Sequence, residues 1–299
     1  MRQEFSQYHR LVSTLARPVL ERADQMPVPP TRAWEAPLAM AVPAARVMLG
    51  DAVAEDALVA GCKRLAELAG ASLNAGKPVM LRAADGHGRV MYHPFALHLY
   101  LAAFRQRYEQ LSDAAWSACE EWLTPAVTTS RHVESFADQP PAMDQAATVL
   151  WHALCVYEHG LLMSRDTDIE WVDSVVHGIV EQQGRGQSLL PQGSDDAIDL
   201  WMFQEMVALH ALANLALLSR RQAWSSRVAE VAAYHVEHFQ PDYTTTQPWG
   251  LMAFVWTNRT GYADQQMHDA QTNGEMGQVS LVSALLLADA ARALALFGA

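Results

Sequence analysis

The ten residues Gln240-Pro-Asp-Tyr-Thr-Thr-Thr-Gln-Pro-Trp249 set two prolines, an acid, a phenol, three hydroxyls and an indole between two helical patterns. A plain helix-to-helix connection needs far less. Asp242 suits general acid or base work, Tyr243 proton donation or an oxyanion, and Trp249 an aromatic wall, with Gln240 beside them. The alternative is a rigid loop whose Thr and Asp side chains satisfy backbone groups. Upstream, His235 and His238 stand three apart on a helix with one wet face, and either could reach the loop from its end. His210 and Asn214 share one face of an otherwise apolar helix, with Glu205 one face over nearer its start. His98 holds the place equivalent to His210 in a similar phrase. Polar groups aimed into apolar surroundings either bond one another or face a wet cavity.

Two patterns have metal-ligand character. Asp195, Asp196 and Asp199 fall on one turn at a helix start, where they either hold Mg2+ or simply favour the helix N-terminus. His152, Cys155 and His159, at i, i+3 and i+7, point to one side and are zinc-ligand types, but no HExxH or CxxC accompanies them. No cofactor is expected, Mg2+ at the three aspartates being the alternative. There is no P-loop, dinucleotide glycine fingerprint or nucleophile elbow either, so nucleotide-hydrolase, Rossmann and serine-hydrolase chemistry find no support.

The elements that must position these residues are helices. Ala and Leu recur at spacings of three and four, and few segments alternate with period two. Five segments are apolar nearly all round: Pro94 to Phe104, Ala142 to Leu162, Leu200 to Leu218, Pro248 to Trp256 and Val279 to Phe297. Such helices belong inside. Between them lie Asp113 to Leu123, Asp168 to Gln183 and Gln222 to Phe239, each with Trp on one face and polar residues opposite. Similar phrases around His98, His152 and His210 recur 54 and 58 residues apart, one helical hairpin per period. Six hairpins would use about 300 residues, so an inner ring wrapped by an outer ring is the simplest closed solution, with an open solenoid competing. The expectation is one all-α domain over 1–299. Residues 1–31 form an N-terminal helix and Pro-rich linker, and 38–299 the hairpins.

In such a ring every loop from an outer to an inner helix lies on one rim. These loops are Asp85 through His93, Ser135 to Pro141, Gln192 to Asp196, Gln240 to Trp249 and Gln271 to Gln278. Inner-helix N-termini there favour an anion, and Arg82, Arg89 and Arg131 could pair with it. The candidate catalytic set is Asp242, Tyr243, His238, His210 and Glu205, and the candidate binding set Asp85, His87, Arg89, His93, His98, Gln240 and Trp249.

By period and helix alternation, most of the chain resembles the α/α-toroid fold shared by terpenoid cyclases, protein prenyltransferases and many polysaccharide lyases and glycosidases. Asp195-Asp-Ala-Ile-Asp199 is similar to the Mg2+-holding DDxxD of class I terpenoid synthases, without their second metal motif. Asp166-Thr-Asp-Ile169 departs from the DxDD acid of class II cyclases at Ile169 and opens an outer helix. The resemblance implies a central cavity and no one chemistry. The expectation is an enzyme of cyclase or lyase type acting by acid-base chemistry on a small, anionic organic substrate. A sugar hydrolase and a non-catalytic helical-repeat protein binding a ligand or partner are the alternatives.

A formal charge of -12 repels phosphate backbones and anionic lipid, so nucleic acid and membrane are not expected partners. The first residues carry Arg2, Glu4, His9, Arg10 and Arg17 rather than an apolar leader, and Phe5, Tyr8, Val12, Leu15 and Val19 predict a helix over 3–16 that Pro18 breaks or restarts. Leu281 to Phe297 is nearly apolar enough to span a membrane, yet Asp289 and Arg292 stand three apart, paired on one face of a buried helix. Cys62, Cys119 and Cys155 are too scattered for a disulfide framework and read as free buried thiols, which places the chain in the cytoplasm.

Overall fold

A computed structural model describes residues 2–25, 36–74, 82–84, 89–130, 143–182, 188–190, 198–239, 247–272 and 279–298. The fold is all-α. Thirteen helices are found among these residues, with a single pair of three-residue strands, β1 (Arg82–Ala84) and β2 (Arg89–Met91), paired antiparallel.

The apolar segments become helices whose residues are buried on nearly every side. They are α5 (Tyr92–Gln106), α7 (Met143–Met163), α9 (Ile198–Ser219), the short α11 (Leu251–Trp256) and α13 (Leu281–Gly298). The three half-wet segments become α6 (Asp113–Ser130), α8 (Asp166–Gln182) and α10 (Gln222–His238), and two further half-wet helices, α4 (Glu55–Asn74) and α12 (Thr260–Thr272), join them. Two short helices, α2 (Ala36–Met40) and α3 (Val42–Met48), precede α4. Packing runs α3 on α5, α5 on α7, α7 on α9, α9 on α11, α11 on α13, and α13 back on α3. The half-wet helices pack outside: α4 on α5, α6 and α8 on α7, α10 on α9, and α12 on α11.

The N-terminal helix α1 (Arg2–Gln25) packs mainly along α13 and also touches α3, so the two ends of the chain lie together. Its buried stripe is Phe5, Tyr8, Val12, Ala16 and Leu20. Pro18 does not break it, contrary to the sequence expectation. Pro18 and Thr14, four residues earlier, are both exposed, so the carbonyl that loses its helical partner faces water while the opposite stripe stays packed. Arg17 ties the helix further by donating to the Leu49 carbonyl at 2.9 Å and pairing with Asp51.

Two close approaches depend on glycine. A Cβ at Gly61 of α4 would overlap the Tyr100 hydroxyl of α5, which donates to the Met40 carbonyl at 2.6 Å. A Cβ at Gly250 would lie 2.6 Å from Phe254 and 2.8 Å from the Met206 sulfur. Among the described residues one helix, over Trp201–Ser219, is long and apolar enough to cross a membrane, and 78% of that window is buried inside the fold.

Candidate functional site

Charged side chains inside helices that are apolar all round must find partners or lose several kcal/mol each. Five of these helical positions converge on one such set. Asp289 of α13 is its hub. Its Oδ2 accepts from His210 Nε2 at 2.8 Å and Asn214 Nδ2 at 2.9 Å, both on α9. Its Oδ1 accepts from Arg292 Nε at 2.9 Å and Nη2 at 2.7 Å, and Arg292 Nη2 also donates to Asn214 Oδ1 at 2.5 Å. His98 of α5 stands between two carboxylates, Nδ1 2.6 Å from Glu158 Oε2 of α7 and Nε2 3.1 Å from Asp289 Oδ2. Arg105, one and a half to two turns along α5, lies 3.6 Å from Glu158 Oε1.

The electrostatics follow from this geometry. Burial alone would lower the His98 pKa, but Glu158 and Asp289 outweigh it and raise it to about 9, so the ring is an imidazolium at neutral pH. Burial would raise Asp289, yet Arg292 and His98, with the hydrogen bonds from His210 and His98, hold it well below the usual carboxylate range. Burial would lower Arg292, while Asp289 and Glu158 together leave its pKa raised. Arg105 is lowered, chiefly by burial and further by the neighbouring Arg292 charge, against the pull of Glu158.

Aromatic rings close one side of this set. Trp151 stacks on His210 at 5.7 Å, and Trp249 and Phe95 meet both in edge-on contacts. The Trp249 carbonyl lies 2.9 Å from His210 Nδ1. On the other side the set borders a basin of about 790 Å3 formed where the inner helices end. Arg105 and Arg292 are its charged floor, Arg220 stands at its edge, and Met48, Ala102, Ala216, Leu217, Trp256 and Leu296 supply much of its apolar wall. A smaller basin of about 430 Å3, lined by Tyr108, Glu109, Leu161 and Ser164 among others, shares Arg105 and Gln106 with it. No family model matches the chain, and no curated protein or solved structure matches it.

The residues expected from sequence fall into four groups. His98 and His210 do come together, through Asp289, and Trp249 packs beside them, fully buried. Glu205 and His93 are buried elsewhere. Glu205 accepts from the backbone N–H groups of Leu189 at 2.5 Å and Leu190 at 2.7 Å, with His235 Nε2 3.5 Å away, and so anchors the 188–190 segment. His93 faces the Leu65 carbonyl at 3.4 Å, and burial lowers its pKa to about 4. His238 stays on the exposed side of α10, against the Tyr234 ring and carbonyl. Asp85, His87, Gln240, Asp242, Tyr243, Asp195 and Asp196 lie outside the described residues, while Arg89 is in β2 and Asp199 in α9.

Among the described residues no three His, Cys, Asp or Glu side chains are grouped to hold a metal ion. The zinc-type trio takes separate partners. Cys155 donates to the Pro94 carbonyl at 3.2 Å, and His159 lies between Thr124 at 3.2 Å and Asp168 at 3.3 Å. His152 is lowered to about 3 by burial and by His93. All three cysteines are free and buried.

Sequence reasoning missed Glu158 and Arg105 as members of the site, and it paired Asp289 with Arg292 without placing either there. Their signal was present: Glu158 is the one carboxylate in the interior of an otherwise apolar stretch from Ala146 to Leu162.

Proposed function

We propose that this chain is an α/α toroid that holds a small organic ligand in the basin at the C-terminal ends of its inner helices. The ring reading is supported by the run of packing from α3 through α5, α7, α9, α11 and α13 back to α3, with the half-wet helices and α1 outside it. One observation carries the ligand reading: the buried ionic set reaches the surface through Arg105 and Arg292 together at the floor of this basin, under a largely apolar wall. A concave, mostly apolar space of this size with a few convergent polar groups is the usual form of a small-molecule site.

The test uses the methionines as reporters. With 13C-labelled methyl groups, a ligand found by screening should shift the resonance of Met48 at the basin wall and leave Met206, beside Gly250, in place. Shifts at Met206 with Met48 unmoved would contradict the proposed place.

Acid-base catalysis is a second reading, favoured by His98. Its imidazolium bonds Glu158, which in turn meets Arg105 at the basin floor, so a proton source stands one layer beneath the ligand. His98→Gln should then abolish turnover while the ligand still shifts Met48. Loss of neither would remove the catalytic reading. The sugar-hydrolase alternative gains nothing here, since Glu158 and Asp289 are closed to solvent and joined through His98 rather than facing one open space. The free buried thiols suit a reducing compartment, and the cytoplasm remains the proposed location.

A further inference from the structure

The charges of the buried set do not balance. Two carboxylates, Glu158 and Asp289, face two guanidiniums, Arg105 and Arg292, together with the His98 ring held between acceptors on both nitrogens. The set thus carries an excess of positive charge, which meets the basin at Arg105 and Arg292. Arg292 also has a donor to spare: Nη1 is buried with no hydrogen-bond partner, although Nε and Nη2 are used. A buried N–H of a charged group left unpaired is costly, and a native fold leaves few of them.

Arginines near helix C-termini often serve only to complement the negative end of the helix dipole. Arg105, in the last turn of α5, is placed to do that. Arg292 is not, because α13 continues past it and its last turn carries no basic residue. The charge of Arg292 also depresses Arg105, so the two guanidiniums repel across the basin floor. An anion between them would relieve both the repulsion and the orphaned donor. Beyond them Ala102, Ala216, Leu217, Trp256 and Leu296 give a chain or ring apolar contact, with Gln106, Arg220 and Ser225 as the remaining polar lining.

Resting on the basin reading above, we propose that the ligand is an anionic amphiphile, with a carboxylate or phosphate head on Arg292 and Arg105 and an alkyl or similarly apolar body along the Trp256 and Leu296 wall. A free anion lacks the body, and a neutral lipid lacks the head. Two guanidiniums in a half-dry site bind a carboxylate by charge-assisted, fork-like hydrogen bonds, which a hydroxyl cannot reproduce.

The experiment compares decanoate, decanol and inorganic phosphate on the full chain by calorimetry and thermal shift, each below its micelle concentration. Three proteins are used: the natural chain, Arg105→Gln, and Ala295→Trp, which fills the basin from an exposed position. Decanoate should bind the natural chain roughly ten- to a hundredfold more tightly than decanol or phosphate, the range expected for charge-assisted hydrogen bonds. Arg105→Gln should weaken it about tenfold, and Ala295→Trp should abolish it. Decanol binding as tightly as decanoate, with Ala295→Trp blocking both, would overturn the anionic class and leave the basin standing. Phosphate binding as tightly as decanoate would overturn the amphiphile. Decanoate binding that survives Ala295→Trp would overturn the basin itself. Absence of saturable binding by decanoate would overturn the proposal. Because Arg105→Gln also removes a partner of Glu158, Ala295→Trp decides the matter if that variant unfolds.

Discussion

Asp289→Asn keeps the shape of the hub and removes its charge. In the natural chain Asp289 accepts four hydrogen bonds, from His210, Asn214 and twice from Arg292, and lies 3.1 Å from His98. The amide can accept at one oxygen only, and its NH2 group would face donors of Arg292 or of His210 and Asn214. Arg292 and His98 would then be left with Glu158 as their one carboxylate in the set. Breaking a buried pair on one side costs about 3–5 kcal/mol, since it strands a charge. At roughly 2–4 °C per kcal/mol for chains approaching this size, the melting temperature should fall by about 10 °C. Circular dichroism melts, with urea titrations as a second measure, would read this. The double variant Asp289→Leu with Arg292→Leu supplies the control: removing both charges should recover much of the loss, giving a coupling above about 1.5 kcal/mol. A single-variant loss below about 1 kcal/mol, or a double variant equal to the sum of the singles, would refute the claim that these charges hold one another.

Three further outcomes follow from the packing and the titrating groups. Gly61→Ala should destabilise by about 1–3 kcal/mol because its Cβ meets the Tyr100 hydroxyl, whereas Gly178→Ala in α8, where a Cβ meets nothing within 4 Å, should stabilise by up to about 1 kcal/mol; equal effects in urea melts would contradict this. Leu20→Ala should cost about 2–5 kcal/mol if α1 is docked through its buried stripe, and a loss under about 0.5 kcal/mol would mean that it is not. Melting temperature against pH should peak near pH 6.5. Above it, the stability from the raised His98 is lost as pH rises through about 9; below it, His93 and His152, depressed to about 4 and about 3, must protonate on unfolding, and the low Asp289 adds its loss in stronger acid. A melting temperature that climbs steadily from pH 6.5 to 9 would show that His98 is not held between carboxylates.

Much of the helix pattern was legible because burial leaves a period. Helices α7, α9 and α13 are apolar all round and lie inside, and the Trp-bearing faces of α6, α8 and α10 turn inward. The Asp289–Arg292 pair was legible for the same reason, since two charges three apart in an apolar helix have little else to bond. The network itself was not legible, because its links cross 60 to 79 positions of sequence and no local spacing encodes them. The phrase repeat was nearly two turns out of step in α7: it set His152 level with His98 and His210, whereas the residue that meets His98 is Glu158. Composition also drew attention to the loops entering the inner helices. The described basin lies at the helices' other ends, and its walls are alanines and leucines that look like any core residue in sequence.

Hydrogen–deuterium exchange with and without decanoate asks directly which end of the inner helices holds a ligand. Exchange should slow around Arg105 to Gln110, Ala216 to Ser225 and Arg292 to Leu296, the segments that border the Arg105–Arg292 floor, with no change around His93 and Trp249. Protection confined to the segments around His93 and Trp249 would contradict this and move the site to the opposite end.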